Sequence, residues 1–312
     1  MWWRPLTVFG CSKGLAGAGD FGAQARRAGE ALAWYRMYVE LHRCWHSGRT
    51  PTALVTFCGQ GGVSEGVRRA GGAAHGQDSA SQPRYTARYG EETFSCGDSC
   101  NPTALRGLQK AARTVVTLAS PPCKQHSSSR MRGAASEPAL IGASRDALQA
   151  TARCWAIKNV VGASSELAAH STLLRGSMFG LHVDRPRLWE TSFDLHVDEA
   201  LLAGGRRLRQ GCCLGFRRRW RRLDPWGRPE MHDCCETPNL WAVQGDKPLR
   251  CTRAECAWAM GLDEGHMDYA GLSQAVPPIY GEWVFAQACM RELEREFGCV
   301  AITERAYLAL CR

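Results

Sequence analysis

The pattern of apolar and polar residues predicts helices at both ends of the chain and short strands between them. Apolar and aromatic residues recur at helical spacing over residues 30–43, and Ser47-Gly48 ends this amphipathic pattern. A second helical pattern covers residues 280–297. Short β-leaning runs lie between them: residues 53–57, a run ending at Gln77-Asp78, a run ending at Cys96-Gly97-Asp98, residues 115–119, and residues 154–157.

Polar or glycine residues follow the carboxyl ends of these runs. The first run is followed by glycines and then by a helical segment, which is the opening of a Rossmann-like unit. The sequence therefore predicts an α/β protein with a Rossmann-like sheet, whose ligand site lies beyond the strand ends. We expect four parts: an N-terminal extension with one amphipathic helix (1–48), the ligand-binding domain (49–193), a small irregular lobe (194–250), and a C-terminal segment that returns to the ligand-binding domain (251–312).

Positive charge is concentrated in the irregular lobe. The formal net charge is +9, and the clustered arginines are Arg206, Arg207, Arg209, Arg217, Arg218, Arg219, Arg221, Arg222 and Arg228. Phe216, Trp220 and Trp226 are interleaved with them. Clustered arginines favour a polyanionic partner, and aromatic residues add stacking or groove contacts. A solvated basic face and a nuclear localisation signal are the alternatives.

The sequence has sixteen cysteines and an ordinary hydrophobic fraction of 45%. The cysteine count raises the question of whether the protein is secreted, with disulfides, or intracellular. The first residues lack the apolar segment of a secretory leader, and no run is long enough to cross a bilayer, so we expect an intracellular protein with mostly free thiols. It would be nuclear if eukaryotic and cytoplasmic otherwise; a transit peptide is the alternative. Zinc ligands would have to come from Cys212-Cys213, Cys234-Cys235, His232 and Cys251, but adjacent cysteines chelate poorly, and we expect no metal.

Two sets of residues carry candidate chemistry. The glycines of residues 57–62 (FCGQGG) permit a close backbone approach to a ligand, and Asp78 and Asp98 each follow a predicted strand. Each aspartate is otherwise a helix cap or turn residue. Pro121-Pro122 fixes the backbone before Cys123, which presents a thiol at a strand end as a nucleophile requires. A buried structural cysteine is the alternative.

The order of these motifs resembles that of the DNA (cytosine-5) methyltransferase family. The resemblance spans roughly residues 53–290, and several modest motifs in the right order carry it. They are 57–62 (FCGQGG), 120–123 (SPPC), 157–160 (IKNV), 185–187 (RPR) preceded by 176–181 (GSMFGL), 252–256 (TRAEC) followed by Met260-Gly261, and 274–278 (QAVPP).

The resemblance implies a mechanism, a cofactor and a set of site residues. Cys123 would add to C6 of a cytosine flipped out of double-stranded DNA, and C5 would take a methyl group from S-adenosylmethionine. Arg185 and Arg187 would orient the base and a neighbouring phosphate. The residues implied in cofactor binding are Phe57, Gly59, Gly61, Gly62, Asp78, Asp98, Pro121, Ala275 and Val276. Those assigned to DNA are Ser127, Arg217, Arg218, Arg219, Trp220, Arg221 and Arg222. A monomer is favoured.

Lys158 is the main departure from the family pattern. It stands where the family has the glutamate that donates to cytosine N3 and accepts from the exocyclic amine, but lysine has no acceptor. Smaller departures are Val55 for Asp, Lys124 for Gln, and Ser273-Gln274 for Gly-Asn. The alternative is therefore a weakened or inactive DNA-binding relative. An RNA cytosine methyltransferase is less favoured, because Lys158-Asn159 replaces the Thr-Cys strand end of that class.

Overall fold

The computed structural model describes residues 21–123, 126, 139–181, 183–197, 201–202, 253–263 and 265–298. The chain divides into two compact units. The larger contains Leu32–Leu174, Pro186–His196 and Ala275–Arg312. The smaller contains Met1–Ala31, Arg175–Arg185 and Val197–Gln274. The predicted irregular lobe lies almost wholly outside the described residues, so it stays a prediction.

A single mixed sheet of seven strands forms the centre of the larger unit, within the part of the chain that is described. Its strands are β1 (Thr52–Thr56), β2 (Ala73–Asp78), β3 (Phe94–Cys96), β4 (Thr114–Ala119), β5 (Trp155–Val160), β6 (Thr172–Leu174) and β7 (Arg187–Thr191). They lie in the order β3-β2-β1-β4-β5-β7-β6. Neighbouring strands from β3 to β5 pair in parallel, whereas β7 runs antiparallel to both β5 and β6.

Helices connect the strands and complete the chain. They are α1 (Phe21–Trp45), α2 (Gly62–Arg69), α3 (Pro83–Tyr89), α4 (Pro102–Ala112), α5 (Ile141–Thr151), α6 (Arg253–Ala259), α7 (Tyr269–Gln274) and α8 (Pro278–Phe297), with short 3₁₀ helices at Glu91–Thr93, Val161–Ala163 and Gly176–Phe179. No helix in the described ranges is both long and apolar enough to span a membrane.

Local sequence explains where these elements begin and which face they bury. Asn101 caps α4 by accepting from the backbone N–H groups of Thr103 and Ala104, and Pro102 occupies the first turn. The interior strand β1 is buried on both faces, as its unbroken apolar run predicts for a parallel sheet covered by helices. The predicted α/β class is therefore confirmed.

Two predicted elements extend further than the sequence indicated, and two strands were not predicted. Helix α1 begins at Phe21, well before residue 30, and ends at Trp45. Strand β5 does not end at residue 157; it continues through Val160, because Lys158, Asn159 and Val160 pair with β7. Strands β6 and β7 had no clear sequence signal, since both are short and their pairing depends on residues distant in the chain.

Helix α8 packs against α2 at unusually short range because α2 contains glycine at the contact. A Cβ atom on Gly62 would lie 2.5 Å from the Val276 carbonyl oxygen, and one on Gly66 would overlap the Pro278 carbonyl oxygen. Nearby, the buried Glu282 carboxylate of α8 pairs with the Arg36 guanidinium of α1. The segment after residue 274 is thus fixed against α2 and α1.

Replacing Gly66 by alanine tests this close approach. We expect Gly66→Ala to lower the free energy of unfolding by about 1–3 kcal/mol, because the methyl group overlaps backbone atoms that have little room to move. Gly107→Ala is the matched control: it lies in α4, a Cβ there meets nothing within 4 Å, and it should stabilise by up to about 1 kcal/mol. Chemical denaturation measures both. Equal effects from the two variants would contradict the packing described for α2 and α8.

Candidate active site at the carboxyl edge of the sheet

A tight glycine loop follows β1. Backbone φ is positive at Phe57 (53°), Gly59 (51°) and Gly61 (96°), so the chain reverses sharply before α2 begins. Positive φ is strained for Phe57, which has a Cβ, and is cheap for the glycines. A Cβ on Gly59 would meet nothing within 4 Å. Gly59 therefore presents bare backbone to open space, which suits a ligand that must approach closely.

Asp78, at the end of β2, is tied directly to this loop. Its Oδ2 accepts from the Gly59 N–H at 3.0 Å, and its Oδ1 accepts from the Ala80 N–H at 3.4 Å. Sequence reasoning placed Asp78 and the glycines in one site, and the structure brings them together. The carboxylate stays partly exposed, so it retains capacity to accept from ligand hydroxyl groups.

Asp98, beyond β3, is exposed and folds back on its own turn. Its Oδ1 accepts from the Cys100 N–H at 2.8 Å, which is the turn role that the sequence left open. The Asp98 carbonyl oxygen accepts from Gln77 Nε2 at 3.4 Å. Asp98 is therefore positioned beside the end of β2, and one carboxylate oxygen is already used by the local turn.

A tyrosine pair supports the glycine loop from α3. Tyr89 Oη donates to the Gly61 carbonyl oxygen at 3.3 Å, and Tyr85 Oη donates to Ser64 Oγ at 3.2 Å. Burial raises the pKa of both tyrosines above the usual range, so they remain neutral donors. A Cβ on Gly61 would lie 2.5 Å from a Tyr89 ring carbon. Sequence reasoning missed this pair; its signal is two aromatic residues four positions apart in a short helix.

Cys123 follows β4 after two prolines and is partly exposed. The preceding Pro121 carbonyl oxygen accepts from Asn159 Nδ2 at 3.3 Å, and Asn159 is fully buried in β5. The His126 N–H donates to the Cys123 carbonyl oxygen at 3.0 Å, which closes a turn just after the thiol. The cysteine is thus presented at the sheet edge rather than buried in the core, as the nucleophile interpretation requires.

Arg187, the first residue of β7, interacts electrostatically with Cys123 and Tyr280. Burial lowers the pKa of the guanidinium, and electrostatic interactions with Cys123 and Tyr280 oppose that shift. Its NH1 donates to the Pro186 carbonyl oxygen at 2.8 Å, while Nε has no hydrogen-bond partner among the described residues. A buried guanidinium with an unused donor beside a thiol suits a site that binds a charged or polar substrate.

Arg185, by contrast, belongs to the smaller unit and is committed to backbone contacts. Its NH2 donates to the carbonyl oxygens of Ser273 at 2.8 Å and Leu272 at 3.3 Å, near the end of α7. Its φ of 38° is strained for a residue with a side chain. This guanidinium thus stabilises the C-terminal end of a helix. Its predicted role in orienting the base stays a prediction.

Lys158 lies within β5 and not beyond its end, so its predicted position needs correction. The side chain is 5% exposed, and the residue pairs with Trp189 across the antiparallel ladder. Directly opposed residues of such a ladder point to the same face. Lys158 therefore shares the face that carries Val160 and its partner Arg187. Two buried cationic residues lie on one face of neighbouring strands.

The structure describes some of the remaining predicted site residues and not others. Ala275 and Val276 lie against Gly62, where the Val276 backbone approaches α2. Ser127, Arg217, Arg218, Arg219, Trp220, Arg221 and Arg222 lie outside the described residues, as do the cysteines considered for zinc. Within the described ranges, no group of three or more His, Cys, Asp or Glu side chains is placed to hold a metal ion.

The sheet order, the antiparallel β7 and the glycine loop after β1 together define the Rossmann-like methyltransferase fold. The chain is similar in structure to the Dnmt2 methyltransferase of S. pombe, with a TM-score of 0.50 and 13% sequence identity over 78% of this chain and 99% of the other. The likeness supports, at the level of fold, the resemblance to cytosine-5 methyltransferases that the motifs predicted.

A second, weaker likeness is to a mutant of the Spodoptera frugiperda DNMT2. Its TM-score is 0.34, with 18% identity over 46% of this chain and 49% of the other. No protein-family model matches the chain, and no curated protein matches its sequence.

Replacing Gly61 and Gly59 by alanine should have different effects on stability and on ligand binding. Gly61→Ala should lower the free energy of unfolding by roughly 3 kcal/mol, because it combines an unfavourable φ with overlap against Tyr89. Gly59→Ala should cost only about 1 kcal/mol, since the strain of a left-handed φ is its only penalty and its surroundings are open. It should instead weaken binding of S-adenosylmethionine, the ligand that the resemblance implies. Calorimetric titration and denaturation separate the effects; unchanged affinity in Gly59→Ala would contradict a ligand at this face.

Proposed function

We propose that the protein is an S-adenosylmethionine-dependent methyltransferase that acts on C5 of cytosine in double-stranded DNA. One observation carries the proposal: Cys123 follows β4 and the glycine loop follows β1, and these two strands pair and are joined beyond their ends by the Ser120 N–H and the Thr56 carbonyl oxygen. Strand order reverses between β1 and β4, and open α/β sheets bind their ligands in the crevice at such a point.

The residues that would hold the methyl donor fit its chemistry. Gly59 offers bare backbone facing open space, and Asp78 offers a carboxylate to the ribose hydroxyls. Phe57 would pack on the donor, and Asp98 would accept from the adenine amino group with its second oxygen. Bound there, S-adenosylmethionine supplies an electrophilic methyl group on a positively charged sulfur.

Cys123 would act on a cytosine flipped out of the duplex, since C5 and C6 are inaccessible in the stack. Its thiolate sulfur would form a bond to C6, and the displaced π electrons would make C5 nucleophilic. C5 would then take the methyl group from the sulfonium, which leaves as a neutral thioether. The C5 proton then passes to a base, the sulfur–C6 bond breaks, and the thiolate is regenerated. The Arg187 guanidinium stabilises the anionic thiolate and the charge that develops on the ring.

Lys158 favours a second candidate, a DNA-binding protein that has the fold but little activity. An ammonium group donates three hydrogen bonds and accepts none, so it can stabilise negative charge on the ring but cannot accept from the cytosine amine. An unpaired amine in a closed site reduces both affinity and discrimination of the base. Lys158 is buried within β5, which supports a role for this residue inside the protein rather than on its exposed surface.

The partner and compartment are part of the proposal. Ser127 and the arginine-rich segment that contains Trp220 would contact DNA phosphates and bases. Arg185 would orient the base and a neighbouring phosphate together with Arg187. We propose a monomeric, intracellular protein, nuclear in a eukaryote. The net charge of +9 supports a polyanionic partner.

Transfer of labelled methyl groups from S-adenosylmethionine to mixed-sequence duplex DNA tests the function. Wild type should label DNA, and Cys123→Ser should reduce the rate by about 10³-fold or more while donor binding is kept, because the nucleophile is lost. Cys44→Ser, at an exposed cysteine of α1, is the matched control and should be fully active. Lys158→Glu should raise the rate by restoring an acceptor for the amine.

The other outcomes have distinct meanings. Label in a structured RNA but not in DNA would reassign the substrate. No label from wild type or Lys158→Glu, on DNA that both proteins bind, would establish the non-catalytic alternative.

A further inference from the structure

The turn that follows Cys123 is closed by its own backbone and held by a side chain. The His126 N–H donates to the Cys123 carbonyl oxygen at 3.0 Å. The His126 imidazole contacts a different segment of the chain: its Nε2 lies 3.0 Å from Glu166 Oε1. The His126 side chain is 16% exposed and the Glu166 side chain 33% exposed, so the contact is partly shielded from solvent. The last described residue of the turn is therefore attached to a different segment of the chain.

Residues 162–166, which the turn contacts, include a glycine at the point of closest approach. The His126 carbonyl oxygen lies so close to Gly162 that a Cβ there would overlap it. Glu166 is positioned by its own N–H, which donates to the Ala163 carbonyl oxygen at 3.0 Å. Both the backbone and the side chain of His126 thus contact residues 162–166.

Residues 162–166 are in turn anchored to the sheet. Arg145 NH2 donates to the Glu166 carbonyl oxygen at 2.5 Å, and the same guanidinium forms a two-point pair with the Glu190 carboxylate of β7 at 2.6 and 2.7 Å. Burial raises the pKa of Glu190, but hydrogen bonds from Arg145 and the Ala168 N–H outweigh it and hold that pKa below its usual value. Glu190 is thus a charged anchor, and a continuous set of contacts connects β7 to the turn after Cys123.

We propose that His126 is a positioning residue for Cys123, acting through Glu166. The inference rests on the proposed role of Cys123 as the nucleophile. Asn159 holds the chain before the cysteine through Pro121, and His126 holds it afterwards. Restraint on both sides fixes where the sulfur points, and small errors in the position of a reacting atom are costly to the rate.

The test measures Cys123 directly, without methyl donor or DNA. The rate of alkylation of Cys123 by iodoacetamide is followed by peptide mass spectrometry in the full chain. His126→Phe keeps a ring of similar size but loses the contact with Glu166, whereas His126→Gln keeps an N–H donor at a similar reach. Glu166→Ala removes the acceptor. His46→Phe is the matched control, because His46 makes the same kind of contact with Glu296, at 3.3 Å, where α1 and α8 end.

We expect His126→Phe and Glu166→Ala each to raise the alkylation rate by roughly threefold to fivefold, the range for loss of one partly exposed polar pair. The double variant should react no faster than either single variant, because the two residues act through one contact. His126→Gln should stay near wild type, and His46→Phe should not change the rate. The same two single variants should lower kcat for methyl transfer by at least about fivefold, with KM for the donor and Tm unchanged.

Unchanged alkylation in His126→Phe, or effects of the two single variants that multiply in the double variant, would overturn the inference. A fall in Tm that accounts for the faster alkylation would overturn it as well, since it would indicate general loosening. Absence of methyl transfer in every protein, wild type included, would instead contradict the proposed function, and the alkylation comparison would still decide the role of His126.

Discussion

Hydrogen bonds that continue beyond the strand ends hold the carboxyl edge of the sheet together, and the whole candidate site depends on them. Each bond joins the loop of one parallel strand to the end or loop of its neighbour. They run from Gly97 N to Asp78 O (2.9 Å), from Cys58 N to Gln77 O (3.1 Å), from Ser120 N to Thr56 O (3.2 Å) and from Asn159 Nδ2 to Pro121 O (3.3 Å). Because loops without such partners are mobile, this arrangement determines where chemistry can be placed.

The same edge explains why distant motifs form one site. The glycine loop follows β1 and Cys123 follows β4, and these strands are neighbours although about 60 residues separate them in sequence. Asp78 arrives from β2 on one side, and Asn159 and Arg187 arrive from β5 and β7 on the other. The glycines of α2 let the segment containing Val276 pack behind the loop. Motifs that are far apart in the sequence thus lie along one edge of the sheet.

Much of this arrangement was predictable from sequence, for physical reasons. Buried parallel strands need continuous apolar runs, and tight ligand loops need glycine. The strands β1 and β4 and the loops that follow them could therefore be predicted from the sequence. The end of β5 was not, because pairing with β7 extends it over Lys158. The roles of Tyr89, Arg145 and His126 were not predictable either. Each depends on a partner that only the fold brings near, and a lone aromatic or charged residue in sequence does not name its partner.

The most direct test of the central claim, that Cys123 is a nucleophile toward cytosine C6, is covalent trapping. Duplex DNA carrying 5-fluorocytosine would be incubated with the protein and S-adenosylmethionine. Fluorine replaces the C5 proton that a base must remove before the sulfur–C6 bond can break, so the covalent adduct accumulates. We expect a denaturation-resistant complex whose mapped attachment site is Cys123 and which Cys123→Ser does not form. DNA that is methylated without a trapped complex, or a complex attached at another cysteine, would contradict it.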